Sequence, residues 1–405
     1  MPQSHFNTTD STYYAELVQP ILEKEMQMET AIANYFSRFT GKIEKNDLGM
    51  DEVPNTVIVE KNNLVQEGGD EIIIPLLRTL KDEGIAGDLQ LEGNEEAQAY
   101  RFYKTKVNQL RKAVKVMNGA SGQRVKNFQL FDKARPQLSQ WWGEEHDFNA
   151  FYSILEGASR HVLKTIVTGG TAQDIGAGAG AIKSHPYFYC AGTGAVAWSD
   201  TAGTYETNIG TALGGVDASD PFDIDLLDDI ATEAQRLKLK PIEGDVQAIV
   251  LLHPNAWNQL SYAGGVFQNI QRDALNRGNE NPIFTGARGM YKGLLIHVHP
   301  NVPGVTVTGG VPVYGTTTPH TAPDSNNVKM IYIMGAQALC KGMADDLHFT
   351  EAMKDYDNAR GIGSASIYGY RRPDWVADEY PVVTGRPINP TSFVLAAYSP
   401  NVTFA

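Results

Sequence analysis

Apolar residues occupy every position from Ile72 to Leu77, and a second extended stretch, Tyr100–Val116, follows after a polar gap. Between them, Asp82–Glu96 is rich in glycine and acid and has no apolar face of its own. Two strands joined by a long polar connection predict a protruding two-stranded hairpin over Gly68–Met117. Such a hairpin is marginal in isolation and must lie on something else. Nothing nearby in the sequence is built to cover it, so it is expected to pack on a neighbouring subunit.

Helical spacing dominates on either side. Leu17, Ile21, Leu22, Met26, Met28, Ile32, Tyr35 and Phe36 predict a helix within Thr12–Phe39. Pro20 bends it or delays its start, and Gly41 ends it. Thr56–Glu60 is a short extended piece. After Asn118-Gly119 a long helical pattern runs to about Val167. Phe131, Ala134, Leu138 and Trp141 repeat at three and four residues, and Phe148, Phe151, Tyr152, Leu155 and Val162 continue the stripe. Pro136 and Gly143 interrupt it, which predicts a kinked helix or two in series. Trp141 and Trp142 read as core.

Between Gly169 and Gly215 lie eleven glycines, and a loop is expected there. Regular patterning then resumes. Asp223 is placed to cap a helix running to about Lys240. Asp245–Leu252 reads as a strand, Pro254 opens the next helix, and Val266–Leu275 is a further short one. Gly289–Val298 reads as a turn and a strand. This alternation predicts an α/β domain. Thr306–Asn327 reads as loop, whereas Lys329–Met334 and Ser392–Tyr398 read as strands. With no helices between them, the C-terminal strands are expected to form one antiparallel sheet covered by the long helix. The α/β domain would then be inserted into a domain built from two distant segments.

At 405 residues the chain exceeds one ordinary core, so two domains or one elaborated domain are expected. The 47 acidic side chains outnumber the 34 basic ones, giving a charge of −13, which argues against a dedicated nucleic-acid binder. Assembly of such chains must overcome their repulsion with buried area. Cys190 and Cys340 could pair, but nothing in their context calls for it, and two free buried thiols are the simpler reading. The start, MPQSHFNTTDSTYY, has no basic n-region or apolar h-region, so no signal peptide is expected. With no run of about 18 apolar residues, no bilayer span is expected either. A soluble chain, intracellular or assembled inside a cell, is the expectation.

Candidate chemistry is sparse. His297 and His299 share one face of a predicted strand, a spacing that suits zinc or copper. No third ligand is placed, and His253 would join them only from an adjacent strand. GGTAQDIGAGAGAIK lacks the Gly-Lys-Ser/Thr ending of a phosphate-binding loop. Asp88, Glu92, Glu95 and Glu96 form a carboxylate patch, but a hairpin tip keeps it solvated, unlike the rigid cleft of a glycosidase. Contact with basic residues of a neighbour, such as Arg124, Arg371 or Arg372, fits it better. Arg101, Lys104, Lys106, Arg111, Lys112 and Lys115 form the densest basic run, interleaved with Tyr100, Phe102 and Tyr103. That mixture can bind single strands, yet the acid beside it points to charge pairing between identical chains. No catalytic set, metal site or cofactor site is found.

The order of elements, from arm through hairpin, long helix and inserted α/β domain to returning strands, resembles the HK97 fold of tailed-phage major capsid proteins. GDEIIIPLLRTLKDEGIAGDLQLEGNEE with QLRKAVKV, then IFTGARGMYKGLLIHVH, GAQAL and DYDNARGIG, is similar to segments of one large capsid family. The resemblance covers roughly residues 10–400, least well in the Gly-rich 169–215 part. It implies an α+β fold with an N-terminal arm (1–67), an E-loop (68–117), a peripheral P-domain spine helix (118–167), an axial A-domain (168–327) and P-domain return strands with the C-terminus (328–405). It implies no enzyme and no cofactor. The expected partners are other copies of the chain, as hexamers and pentamers of an icosahedral shell. Portal, scaffold or decoration proteins and non-specifically held double-stranded DNA are expected too, but no membrane. The expected location is the virion, assembled in the host cytoplasm. Gly84, Gly87, Gly119 and Gly169 are candidate hinges. The alternative is a cellular nanocompartment shell of the same fold, holding a protein cargo.

Overall fold

The structure is a computed structural model. It describes residues 19–45, 51–62, 71–77, 86, 92, 100–116, 130–156, 158–165, 173–174, 188–191, 194–195, 215–216, 219–236, 239–242, 246–262, 289–308, 311–314, 328–354, 359–373 and 393–398.

Helix α1, Gln19–Ala33, begins beside Pro20. Proline is tolerated in a first turn, where its missing N–H has no intrahelical acceptor. The helix does not reach Phe39 as expected. Asn34 is extended (φ −79°, ψ 114°), and Tyr35–Phe39 form a separate 3-10 turn. The cause is tertiary. The Asp147 carboxylate accepts the backbone N–H groups of Tyr35 and Phe36 at 3.0 and 3.1 Å, which caps a fresh helical start. Strands β1 (Thr40–Lys42) and β2 (Ile58–Lys61) then pair in parallel.

The hairpin is present as β3 (Glu71–Leu77) and β4 (Tyr100–Lys106), antiparallel, with Ile72 opposite Thr105. The expected closing strand Tyr100–Val116 divides at Val107. Beyond it the chain forms β5, Asn108–Val116, which joins a different sheet. Extended patterning runs straight through Val107, so the sequence carries no mark of this change.

Helix α2, Leu130–Glu156, passes through both Pro136 and Gly143 as one helix. Gly143 serves packing instead of a break. A Cβ there would meet the Ala33 Cβ at 2.5 Å, so glycine lets α1 lie directly against α2. A short helix, Arg160–Leu163, follows.

Within the Gly-rich stretch, read as loop, lie β6 (Phe188–Cys190) and β7 (Gly194–Ala195). Asp223 caps α3, Ile224–Arg236, as expected: its Oδ1 accepts the Leu226 N–H at 2.9 Å. Strand β8 (Ala248–Leu252) and helix α4 (Pro254–Tyr262) follow where patterning placed them. The expected helix Val266–Leu275 lies outside the described residues. Strands β9 (Gly289–Tyr291) and β10 (Leu294–Val298) form a hairpin. So do β11 (Gly304–Thr308) and β12 (Val311–Tyr314), in place of part of the expected loop Thr306–Asn327. Val305, Val307, Val311 and Val313 alternate as strand residues do. Pro312 is tolerated because, among the described residues, β12 pairs only with β11.

The last strands are β13 (Val328–Met334), β14 (Leu339–Lys354), β15 (Ala359–Arg371) and β16 (Phe393–Tyr398). They do not make one sheet. The five-stranded sheet runs β1-β2-β14-β15-β5, with β14 and β15 antiparallel. The nine-stranded sheet runs β7-β6-β16-β13-β8-β10-β9, with β11 on β13 and β12 on β11. Strands β13 and β16 therefore belong with the α/β segment, and the expected boundary at 327/328 does not separate the sheets. The reason is visible in β13, VKMIYIM, which is buried at every position. A strand buried on both faces belongs in the middle of a covered sheet.

That strand also joins the two cores. Met330, Tyr332 and Met334 pack with Phe151 of α2 and Phe349 of β14. Ile331 and Ile333 face the other way, with Leu227 and Ile230 of α3 and Leu260 of α4. Alternation along one strand thus ties the long-helix layer to the helical layer behind the second sheet.

Candidate assembly surface

The hairpin is rooted on its own subunit. Ile72 and Thr105, opposite each other across β3 and β4, are both buried. Beneath them Gly342 of β14 stands opposite Gly369 of β15. A Cβ on Gly369 would lie 2.1 Å from the Lys106 carbonyl oxygen, and one on Gly342 would lie 2.6 Å from the Ile72 Cδ1. The paired glycines make a bare saddle where the root crosses the sheet. None of the four expected hinge glycines, Gly84, Gly87, Gly119 and Gly169, lies among the described residues. The saddle was missed because Gly342 and Gly369 are far apart in sequence, and only strand register sets them opposite.

The expected contact residues fall in several places. Asp88, Glu95, Glu96 and Arg124 lie outside the described residues, and Glu92 is exposed at a turn. Arg101 and Lys104 sit on β4, in register with Leu76 and Ile73. Arg111 is exposed on β5, an end strand of its sheet among the described residues, as are Lys112 and Lys115. Lysine on an outer strand also discourages unwanted strand pairing. Arg371 ends β15, opposite Cys340. Arg372 must be reassigned: it is fully buried, and its Nη1 donates to the Ile154 carbonyl at the end of α2, 2.8 Å away. A cation so placed holds its own subunit together and is out of a neighbour's reach.

A polar and aromatic seam joins α2 to β15. The Trp142 indole N–H donates to Ser364 Oγ at 2.7 Å, and Asn149 Nδ2 donates to the Tyr368 hydroxyl at 2.9 Å. The Tyr368 ring lies 4.4 Å from both His146 and His161. His161 Nε2 is 2.8 Å from the Tyr368 carbonyl. Burial pulls His161 down to about 4 despite that bond. Burial also holds His146 well below its usual range, helped by Lys341 and His161. On the same face, Lys341 stands opposite Tyr370, and its Nζ pairs with Glu60 at 2.8 Å and ties β14 to the arm strand β2. Burial is the largest influence and would raise the Glu60 carboxyl, but the charge and hydrogen bond of Lys341, with Lys42 and Asn62, together outweigh it and the net shift is downward.

His297 and His299 share a face, as expected, but that face looks inward. Tyr35 lies 6.2 and 4.6 Å from their rings, and Phe151 lies 5.5 Å from His299. Burial lowers both to about 4, with Arg38 adding to the effect on His297. His299 Nε2 stands 3.9 Å from the Asp147 carboxylate, which burial raises to about 7 against its two backbone hydrogen bonds. Between those values both groups are neutral. His253, although on the neighbouring strand's end, uses Nδ1 to accept the Asn255 N–H at 3.2 Å. No group of three metal-ligating side chains occurs among the described residues. Instead, the histidines and Asp147 join the arm, α2 and the second sheet.

This mixed α+β architecture is shared by solved shells. The capsid of Ralstonia phage GP4 superposes with a TM-score of 0.60 over 90% of this chain and 91% of that one, at 19% identity. The capsid of cyanophage Pam1 gives 0.59 over the same shares, at 16% identity. The fold is therefore that of the HK97-like capsid subunits. The chain belongs to the phage capsid protein family, whose model matches residues 22–384. Over 316 residues it is 28% identical to the major capsid protein of Pseudomonas phage KPP25, across 76% of this chain and 79% of that protein. It is a structural protein of the virion, and many copies of it form the phage capsid shell. The family favours a phage shell over a cellular nanocompartment.

Proposed function

We propose that copies of this chain assemble as hexamers and pentamers into an icosahedral shell around double-stranded DNA. The hairpin acts as the E-loop and lies over a neighbour's five-stranded sheet and α2, which form the P-domain. The arm through β2 adds grip, and the α3–α4 layer with the second sheet forms the A-domain at the capsomer axis. The acidic connection, with Asp88, Glu92, Glu95 and Glu96, meets basic side chains of the next copy. Arg111 on the outer strand is the best-placed acceptor surface, with Arg101, Lys104, Arg124 and Arg371 as further partners. Portal, scaffold or decoration proteins complete the particle, which assembles in the host cytoplasm. Many weak contacts acting together give a stable closed shell.

The observation that carries this reading is the hairpin. Among the described residues its strands pair in a sheet only with each other, and its root is seated on a bare glycine saddle. Deletion of Asp82–Glu96, closed by a short Gly-Ser turn, tests it. The expected product is a folded subunit with unchanged circular dichroism that forms no stable shells. Normal particles from the deletion would refute the docking role.

A further inference from the structure

Helix α1 is amphipathic in an unusual sense, because it is apolar on two faces. One face is used inside the subunit. Met26 and Thr30 are buried, Leu22 packs on the core, and Gln27 Nε2 donates to the Leu347 carbonyl at 2.9 Å. The other face carries Ile21, Met28 and Ile32, which are 62%, 61% and 81% exposed. Spacings of seven and four place the three within about 40° of one another on the helix, along a stripe of about 16 Å. The one other exposed large hydrophobic among the described residues is Met290. Three such side chains in line are a patch, and single exposed apolar residues are not.

We infer that this stripe is a contact between copies, and that its occupant is the neighbouring subunit in the shell. The inference rests on the capsid reading and names the side chains through which the arm would grip its neighbour. Each copy carries a charge of −13, so association needs apolar burial to overcome repulsion. The stripe supplies it on a helix already fixed by its inner face, against α2 at Gly143. A preformed surface loses little freedom on docking, which favours its use as an anchor.

Both native cysteines are buried and free, so an added surface thiol is singular. Ile32→Cys is labelled with a maleimide in the unassembled subunit and in purified shells. The expected result is fast labelling of the subunit and labelling at least about tenfold slower in shells. Equal reactivity in both overturns the inference while leaving the capsid reading intact. Protection already present in the unassembled subunit also overturns it, by showing that the chain covers its own stripe. A second variant, Met28→Ser with Ile32→Ser, guards against a local effect of the thiol. It is expected to keep the native circular dichroism and lose at least about tenfold in shell yield at fixed concentration. Undiminished yield counts against the stripe, whereas a wild-type chain that never forms shells defeats the capsid reading itself.

Discussion

Gly369→Ala is expected to leave a folded subunit that no longer forms shells. The added Cβ would lie 2.1 Å from the Lys106 carbonyl oxygen and 3.3 Å from the Val107 Cα. Both obstacles are backbone, so no side chain can step aside. Either β15 bends or the hairpin root lifts. Overpacking of this kind costs about 1–3 kcal/mol, which a domain of this size survives. The larger consequence is geometric. A displacement of an ångström at the root is magnified along an arm that must meet another subunit. Gly342→Ala is the built-in control. Its Cβ would meet the Ile72 Cδ1, the far end of a flexible side chain, so its cost is expected to stay within about 1 kcal/mol. Thermal unfolding and shell yield of the two variants, measured side by side, check this. Equal and normal assembly by both would remove the saddle from the account.

Acid is expected to unfold the subunit steeply between pH 6.5 and 4. His161, His297 and His299 are each lowered from 6.5 to about 4 by burial, and burial also holds His146 well below its usual range. In the folded chain these rings stay neutral over that window, while in the unfolded chain they take up protons. Stability from this source is therefore complete above pH 6.5 and is lost as pH falls towards 4. Asp147 works in the opposite sense. Its carboxyl rises from 3.8 to about 7, so it favours the folded state at low pH and loses that contribution as pH rises through 7. Set against the three histidines held at about 4, one such group leaves a net uptake of about two protons on unfolding at pH 5, to which His146 adds. The corresponding slope is at least about 2–3 kcal/mol per pH unit. Urea unfolding of the unassembled subunit at pH 7 and pH 5, followed by tryptophan fluorescence, measures it. His299→Gln is expected to flatten the slope by roughly one proton. Equal urea midpoints at the two pH values would show that the histidines are not held neutral.

Much of this was legible in residue order. Periodicity located α2 through Phe131, Leu138 and Phe151, and the Asp223 cap and the Pro254 helix start are local chemistry that any context would preserve. The run IIIPLL announced an apolar strand needing cover. What failed had non-local causes. Tyr100–Val116 looks like one strand because extended patterning does not record which partner a strand chooses. Lys329–Met334 was assigned to the wrong sheet although the apolar run Met330–Met334 within it marked it as doubly covered. Arg372 was expected to meet the acidic patch of a neighbour, yet the chain turns it under the end of α2. His297 and His299 were correctly placed on one face, but whether that face met solvent or Tyr35 depended on where the arm lay. Gly342 and Gly369 acquire meaning only from the register of β14 and β15.

The central claim is that copies of this chain close into a shell through their hairpins. Electron microscopy of the purified full-length protein tests it most directly. The expected images are closed particles with six- and five-fold clusters, each cluster linked by a hairpin laid across the next subunit's α2 and five-stranded sheet. A monodisperse monomer that forms no closed particle at any ionic strength would contradict the account. So would a shell in which the hairpin folds back on its own subunit.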